Sequence, residues 1–284
     1  MSRADDMLEI ASPGGVERRS QVRDVFLEFR GIHKSYGPKH VLRGADLRVF
    51  RGEVLVILGG SGSGKSVTLR HILGLERPDS GRVLVDGEDI TDLPEEQLYR
   101  VRMKFGMLFQ AGALFDSITV AENIAFPVVE HTSIRGAELQ RLIDEMLGLV
   151  DLPHAGPLMP VDLSGGMRKR VGLARAIVLG PKVILYDEPT TGLDPVTAQR
   201  INELIVDLQA KLKVTSIVVT HDIQSAFHVG DRIAFLEEGT FQWVGTMEEA
   251  RRSNNPALLE FLRTSNVAAA RPIEAAGHEV RNGS

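Results

Sequence analysis

Val54-Leu55-Val56-Ile57-Leu58-Gly59-Gly60-Ser61-Gly62-Ser63-Gly64-Lys65-Ser66-Val67 is the stretch on which the fold turns. Five aliphatic residues with no polar alternate read as a strand buried on both faces. The next eight residues match G-x-x-x-x-G-K-[ST] at every fixed position, and a helical pattern, Lys65 to Leu73, follows. Glycines at 59, 60, 62 and 64 let the backbone wrap so that the N–H groups of Gly59 to Val67 converge on phosphate oxygens. The helix N-terminus adds positive potential. Lys65 is placed to bridge terminal phosphates, and the Ser66 hydroxyl to ligate Mg²⁺.

Downstream, Val183-Ile184-Leu185-Tyr186-Asp187-Glu188 is a second buried strand, with two carboxylates at its C-terminal end. In open α/β sheets that edge is where ligands bind. Asp187 suits a Mg²⁺-directed role, and Glu188, one residue on, can orient or deprotonate an attacking water. Leu163-Ser164-Gly165-Gly166-Met167 opens another helix, with Ser164 a good N-cap and two glycines exposing backbone amides, chemically a second anion site.

Around these motifs, strands are expected near 25–30, 45–50, 82–85, 105–109, 216–220, 232–236 and 240–244. Helices are expected near 94–102, 165–179, 195–212, 223–228, 247–252 and 257–263. Residues 111 to 163 change character, with helical patterns at 120–130 and 136–149, and read as an inserted α-helical subdomain. The first 23 residues read as a flexible leader and 265–284 as a C-terminal tail, leaving 24–264 as one nucleotide-binding domain. Continuous apolar strands alternating with helices predict an α/β fold with a mostly parallel sheet. Arg168-Lys169-Arg170 reads as a solvated helix face.

The 284-residue chain is 43% apolar and 25% charged, as a globular protein should be. Its formal net charge of −5 gives no electrostatic reason to expect nucleic acid. Zero cysteines exclude disulfides and thiolate metal sites. No apolar run approaches the roughly 18–20 residues that span a bilayer. The acidic start MSRADDMLEIASPGG lacks a signal peptide's positive end and greasy middle, so a cytoplasmic chain is expected.

Taken together, LSGGM, YDEPTTGLDP and VVTHD downstream of the phosphate cradle resemble the nucleotide-binding domain of ABC transporters, over about residues 25–263. That resemblance implies the P-loop core with an N-terminal antiparallel β subdomain, ATP and Mg²⁺ as ligands, and ATP hydrolysis. It also implies a head-to-tail homodimer, in which Ser164, Gly165 and Gly166 contact ATP held by the other subunit. Gln110 matches the glutamine that contacts Mg²⁺ or water and senses the permease. Leu193 and Asp194 match the loop that crosses the dimer interface. His221 matches the switch histidine at the γ-phosphate, and Tyr36 the aromatic that stacks on adenine.

Three longer stretches, GGSGSGKSVTLRHILGLERPDSG, FGMLFQAGALFDSITVAENIAFP and LSGGMRKRVGLARAIVLGPKVILYDEPTTGLDP, are similar to the ATPase of the Mla-type phospholipid transporters built around Mce-domain proteins. The implied partners are a multi-spanning permease, a periplasmic Mce-domain protein and a small cytoplasmic STAS-type subunit, at the cytoplasmic side of a bacterial inner membrane. Motors of amino-acid importers or drug exporters are the alternative within transport. A soluble ABC ATPase or a nucleotide-sensing module is the alternative outside it.

Overall fold

The computed structural model describes residues 24–264, so the leader and tail expected from the sequence lie outside the described residues. In chain order the elements begin with β1 (Val25–Tyr36), β2 (Lys39–Phe50), β3 (Val54–Leu58) and α1 (Lys65–Ile72). Next come β4 (Ser80–Val85), β5 (Glu88–Asp89), α2 (Glu95–Arg102) and β6 (Phe105–Leu108). Helices α3 (Val120–His131), α4 (Gly136–Leu149) and α5 (Gly165–Ile177) follow, then β7 (Val183–Asp187), α6 (Pro195–Leu212), β8 (Thr215–Thr220) and α7 (Ile223–Val229). The chain then forms β9 (Arg232–Glu237), β10 (Thr240–Thr246), α8 (Met247–Arg251) and α9 (Pro256–Thr264).

A six-stranded sheet runs in the order β10-β9-β3-β8-β7-β6, parallel except for β10. A second, antiparallel sheet runs β2-β1-β4-β5. The unbroken apolar run of β3 has its reason in this layering. Val54, Val56 and Leu58 enter one core, beneath α3–α6, while Leu55 and Ile57 enter the other, against β1, β2, β4 and α1. Side chains alternate between faces, so a strand with a core on each side must be apolar throughout.

The β1–β2 hairpin is longer than the sequence pattern suggests. It runs on past Arg30 to Tyr36 and returns from Lys39, with register shifts around Phe29, Ile32 and Lys34. The outer half mixes exposed residues with buried Ile32, Val41 and Leu42, and its bulges break the alternation that marks a half-buried strand. Asp46 stabilises the kink by accepting from the Gly31 amide at 2.8 Å. Strand β6 ends at Leu108, leaving Gln110 in the turn beyond it rather than on the strand, and Pro94 caps α2 from outside.

Helix α5 packs on β6, and glycines at the contact, Gly106 and Gly172, permit the approach. A Cβ placed on Gly106 would stand 2.2 Å from the Ala176 carbonyl oxygen, a backbone atom that cannot swing away. Gly106→Ala is expected to cost about 2–3 kcal/mol, as overpacking does. The measurement is the urea midpoint, which should fall with an unchanged m-value; an unmoved midpoint would refute the contact.

Candidate active site

Strand order brings the chemistry together. Because β8 lies between β3 and β7, with Leu58 opposite Thr220 and Asp187 opposite Val219, the loops that leave these three strands share one edge. The phosphate-cradle lysine, the two carboxylates and the histidine therefore converge, although up to 156 residues separate Lys65 from His221.

The cradle is shaped by close contact on one side and open space on the other. A Cβ on Gly59 would lie 2.3 Å from the Leu236 carbonyl oxygen, so only glycine can start the loop there. At Gly60 and Gly62 (φ 80°) a Cβ would meet nothing within 4 Å. These two glycines border a cavity of about 350 Å³ that reaches Lys39 and His40 on one wall and Glu237 to Gly239 on another. Helix α1 has no side-chain cap and no acid in its first turn. Ser63 Oγ is buried and, among the described residues, has no hydrogen-bond partner. Uncapped amides and an unsatisfied hydroxyl suit an anion with several acceptor oxygens.

Lys65 is buried, and its Nζ donates to the carbonyls of Gly59 (2.8 Å) and Gly60 (2.9 Å). It also stands 3.6 Å from Glu188 Oε1. Burial lowers its pKa from the ordinary value, opposed by the charges of Glu188 and Asp187.

Glu188 adopts a left-handed backbone with φ 49°, a conformation that costs a non-glycine residue about 1–2 kcal/mol. Its amide donates to the Val219 carbonyl at 2.9 Å. Oε2 lies 2.9 Å from His221 Nδ1 and accepts from the hydroxyls of Thr191 (3.1 Å) and Thr220 (3.4 Å). Backbone strain concentrated at a partly buried, multiply held carboxylate is where function is expected. Burial, reinforced by the adjacent Glu188 charge, raises the Asp187 carboxyl above the usual range. Asp187 and the exposed hydroxyl of Ser66 offer a metal few protein ligands, and among the described residues no group of three or more His, Asp or Glu side chains could hold one. That donor set fits Mg²⁺, which keeps waters and takes substrate phosphate oxygens alongside one or two protein ligands.

The remaining expected residues stand elsewhere. Ser164 caps α5, accepting from Met167 N at 3.2 Å, with Gly165 and Gly166 as the first helical residues. Gly165 lines a separate cleft of about 590 Å³, together with Gln110, Lys169 and Thr191 to Leu193. The same chain's phosphate cradle does not border that cleft. Asp194 caps α6, its Oδ1 accepting from the amides of Val196 and Thr197, both at 3.1 Å. Tyr36 donates its hydroxyl to Glu76 at 2.5 Å and is paired in register with Lys39, which lines the phosphate-side cavity.

One expectation is overturned. Lys169 is no part of a solvated face; it is 4% exposed. Its Nζ donates to the carbonyls of Pro189 (2.7 Å), Thr191 (2.8 Å) and Glu188 (3.3 Å). Burial pushes its pKa down to about 8, with the Glu188 charge pulling the other way. The neighbouring Arg170 also turns inward, donating to the carbonyls of Val150 and Asp151. The sequence held a signal for this. Position 169 falls three residues after Gly166 and four before Leu173, on the buried stripe of α5. The hydroxyls of Thr191 and Thr220 that hold Glu188 carried no sequence signal of their own.

Comparison with known proteins gives the family. The ABC transporter family model matches residues 42–191. The chain is 42% identical over 238 residues to "Probable ribonucleotide transport ATP-binding protein mkl" of Mycobacterium leprae, covering 84% of this chain and 69% of that one. It is 38% identical over 237 residues to "Intermembrane phospholipid transport system ATP-binding protein MlaF" of Haemophilus influenzae, covering 84% of this chain and 90% of that one. Among solved structures, the dimeric ATP-binding cassette MJ0796, in a post-hydrolysis state bound to ADP and Pi, superimposes with a TM-score of 0.72 at 33% identity, covering 78% of this chain and 98% of that one. A phosphate cradle facing strand-end carboxylates, a detached serine-glycine helix start and relatives at this level of identity lead to one conclusion: the chain belongs to the ABC transporter family and is its ATP-binding, ATP-hydrolysing subunit.

Proposed function

We propose that this ATPase drives a phospholipid transporter of the Mla type, moving lipid between the inner and outer membranes of a bacterium from the cytoplasmic face of the inner one. The observation that carries the reading is 38% identity to a MlaF protein across 90% of that relative's length, far beyond the motifs that all such ATPases share. Ribonucleotide cargo is the second reading, favoured by the name of the 42%-identical mycobacterial relative.

In the working dimer, Lys65 and the amides of Gly59 to Val67 bind and orient the ATP phosphates. Ser164 to Gly166 of the partner subunit close over the γ-phosphate. Ser66 and Asp187 would hold Mg²⁺, with Gln110 reaching it from the neighbouring cleft when the dimer closes, and the ion would supply neutralising charge to the phosphates. Glu188 takes the proton of the attacking water, and His221, 2.9 Å from it, fixes that carboxylate and faces the γ-phosphate. Tyr36 stacks on adenine once its hydroxyl leaves Glu76. ATP stabilises the closed dimer because it binds that state preferentially, and hydrolysis removes the preference.

A permease is the partner that converts closure into transport, since no described helix is long and apolar enough to cross a membrane. It docks on a cleft of about 530 Å³ beside β6 and α3, near Gln110 and residues 111–116, where Tyr99, Phe109, Phe115 and Phe126 are 43–52% exposed. So many exposed aromatics in one cleft mark a surface that a partner covers. A periplasmic Mce-domain protein and a small STAS-type subunit complete the assembly. The cargo sets a physical demand. Exposing a two-chain lipid's roughly 30 methylenes to water would cost more than about 20 kcal/mol, so the machine must pass lipid along an apolar conduit.

The test is to express tagged Glu188→Gln protein in its native host, extract the membranes in mild detergent with ATP–Mg²⁺, and identify what co-purifies. A permease, an Mce-domain protein and phospholipid are expected. A different permease carrying nucleotide, or one with a soluble binding protein, would replace the lipid reading.

A further inference from the structure

We propose that Lys169 is a positioning residue that holds Glu188 in its reactive place, and that it ties the hydrolytic carboxylate of one site to the signature helix serving the other. This rests on the reading of Glu188 as the catalytic carboxylate. The three donors of the ammonium meet three carbonyls, those of Glu188, Pro189 and Thr191, so every proton on Nζ is used. Those carbonyls lie along the loop that leaves β7 with Glu188 in its left-handed backbone conformation. Thr191, whose carbonyl Lys169 grips, also donates its hydroxyl to Glu188 Oε2. Lys169 therefore holds Glu188 twice, directly through its backbone and indirectly through Thr191.

The lysine stems from α5, five residues after Ser164, on the first turns of the helix whose N-terminus the proposed dimer sets against the partner's ATP. A shift of α5 when Ser164 to Gly166 engage that ATP is passed through a buried ammonium to the loop carrying this chain's own Glu188. Lys169 touches no reacting atom. Its effect is on where the carboxylate stands, and a displacement of about 1 Å can cost 10²-fold in rate.

The test compares Lys169→Met, Lys169→Arg and Lys169→Gln in the assembled transporter, following phosphate release. Lys169→Met should lower kcat by about 30–100-fold, with the KM for ATP changed less than about twofold. Lys169→Arg, which still donates from a cation, should recover to within about fivefold of wild type. Adding Lys169→Met to Glu188→Gln should lower the residual rate no further, because the lysine acts through the carboxylate. Should the methionine variant fail to fold, as read from its melting temperature, Lys169→Gln is measured in its place. A kcat within threefold of wild type would overturn the proposal. So would a loss of ATP binding in step with kcat, an arginine variant no better than methionine, or an additive double mutant. A wild-type complex that hydrolyses ATP while Glu188→Gln hydrolyses it equally well would instead remove the catalytic role of Glu188, before any Lys169 variant is read.

Discussion

Glu188→Gln is expected to lower ATP turnover by about 10³-fold or more while leaving ATP bound, which is the effect of removing a general base held in place. The substitution keeps the size and leaves an amide oxygen facing His221 Nδ1, Thr191 and Thr220, so the pocket should not rearrange. What disappears is a negative charge 3.6 Å from Lys65 Nζ and the ability to accept a proton from water. Binding should hold or tighten, because the removed charge would have faced the γ-phosphate, and phosphate replaces it as the partner of Lys65. An ATP-bound dimer that no longer decays follows, since the closed state is lost only by hydrolysis. Phosphate release and light scattering in ATP–Mg²⁺ are the measurements. Hydrolysis at the wild-type rate would remove Glu188 from the mechanism.

Mixing two inactive variants is expected to restore activity. Lys65→Ala removes the buried cation of the cradle, and Ser164→Arg places a bulky side chain at an exposed helix start. Each homodimer carries its lesion in both sites and should be at least about 10²-fold slower than wild type. In a heterodimer with head-to-tail sites, both lesions fall in one site. The other combines the wild-type cradle of the Ser164→Arg chain with the wild-type signature of the Lys65→Ala chain. Random exchange makes half the dimers mixed, each with one good site of two, so about a quarter of wild-type activity is the ceiling for independent sites. The structure favours this outcome because the cleft holding Gly165 and the cavity at Gly60 to Ser63 share no lining residue within one chain. Mixed samples as inactive as their parents, despite demonstrated subunit exchange, would mean that each chain completes its own site.

Much of the molecule was legible in the residues because the decisive signals are local. A run such as VLVIL needs no knowledge of its neighbours to be read as a doubly buried strand, and a glycine-rich turn followed by Lys-Ser carries its phosphate chemistry in its own backbone. The α/β architecture follows from the same alternation, and relatives with that fold bear it out. Where bulges interrupt the pattern the reading fell short, as in the outer half of the β1–β2 hairpin, since register shifts there break the period of two that marks a strand.

The sequence by itself therefore determined the apolar strands of the parallel core, the glycine-rich turn before Lys65, the family and the ATP-hydrolysing activity, all of which depend on residue type and short spacing. Only the tertiary structure decided which distant groups meet. Placing β8 between β3 and β7 brings Lys65, Glu188 and His221 into contact, and packing α5 against the loop after β7 turns Lys169 from a surface charge into a buried clamp. A lysine's burial depends on the carbonyls that surround it, and those carbonyls come from residues some 20 positions away along the chain.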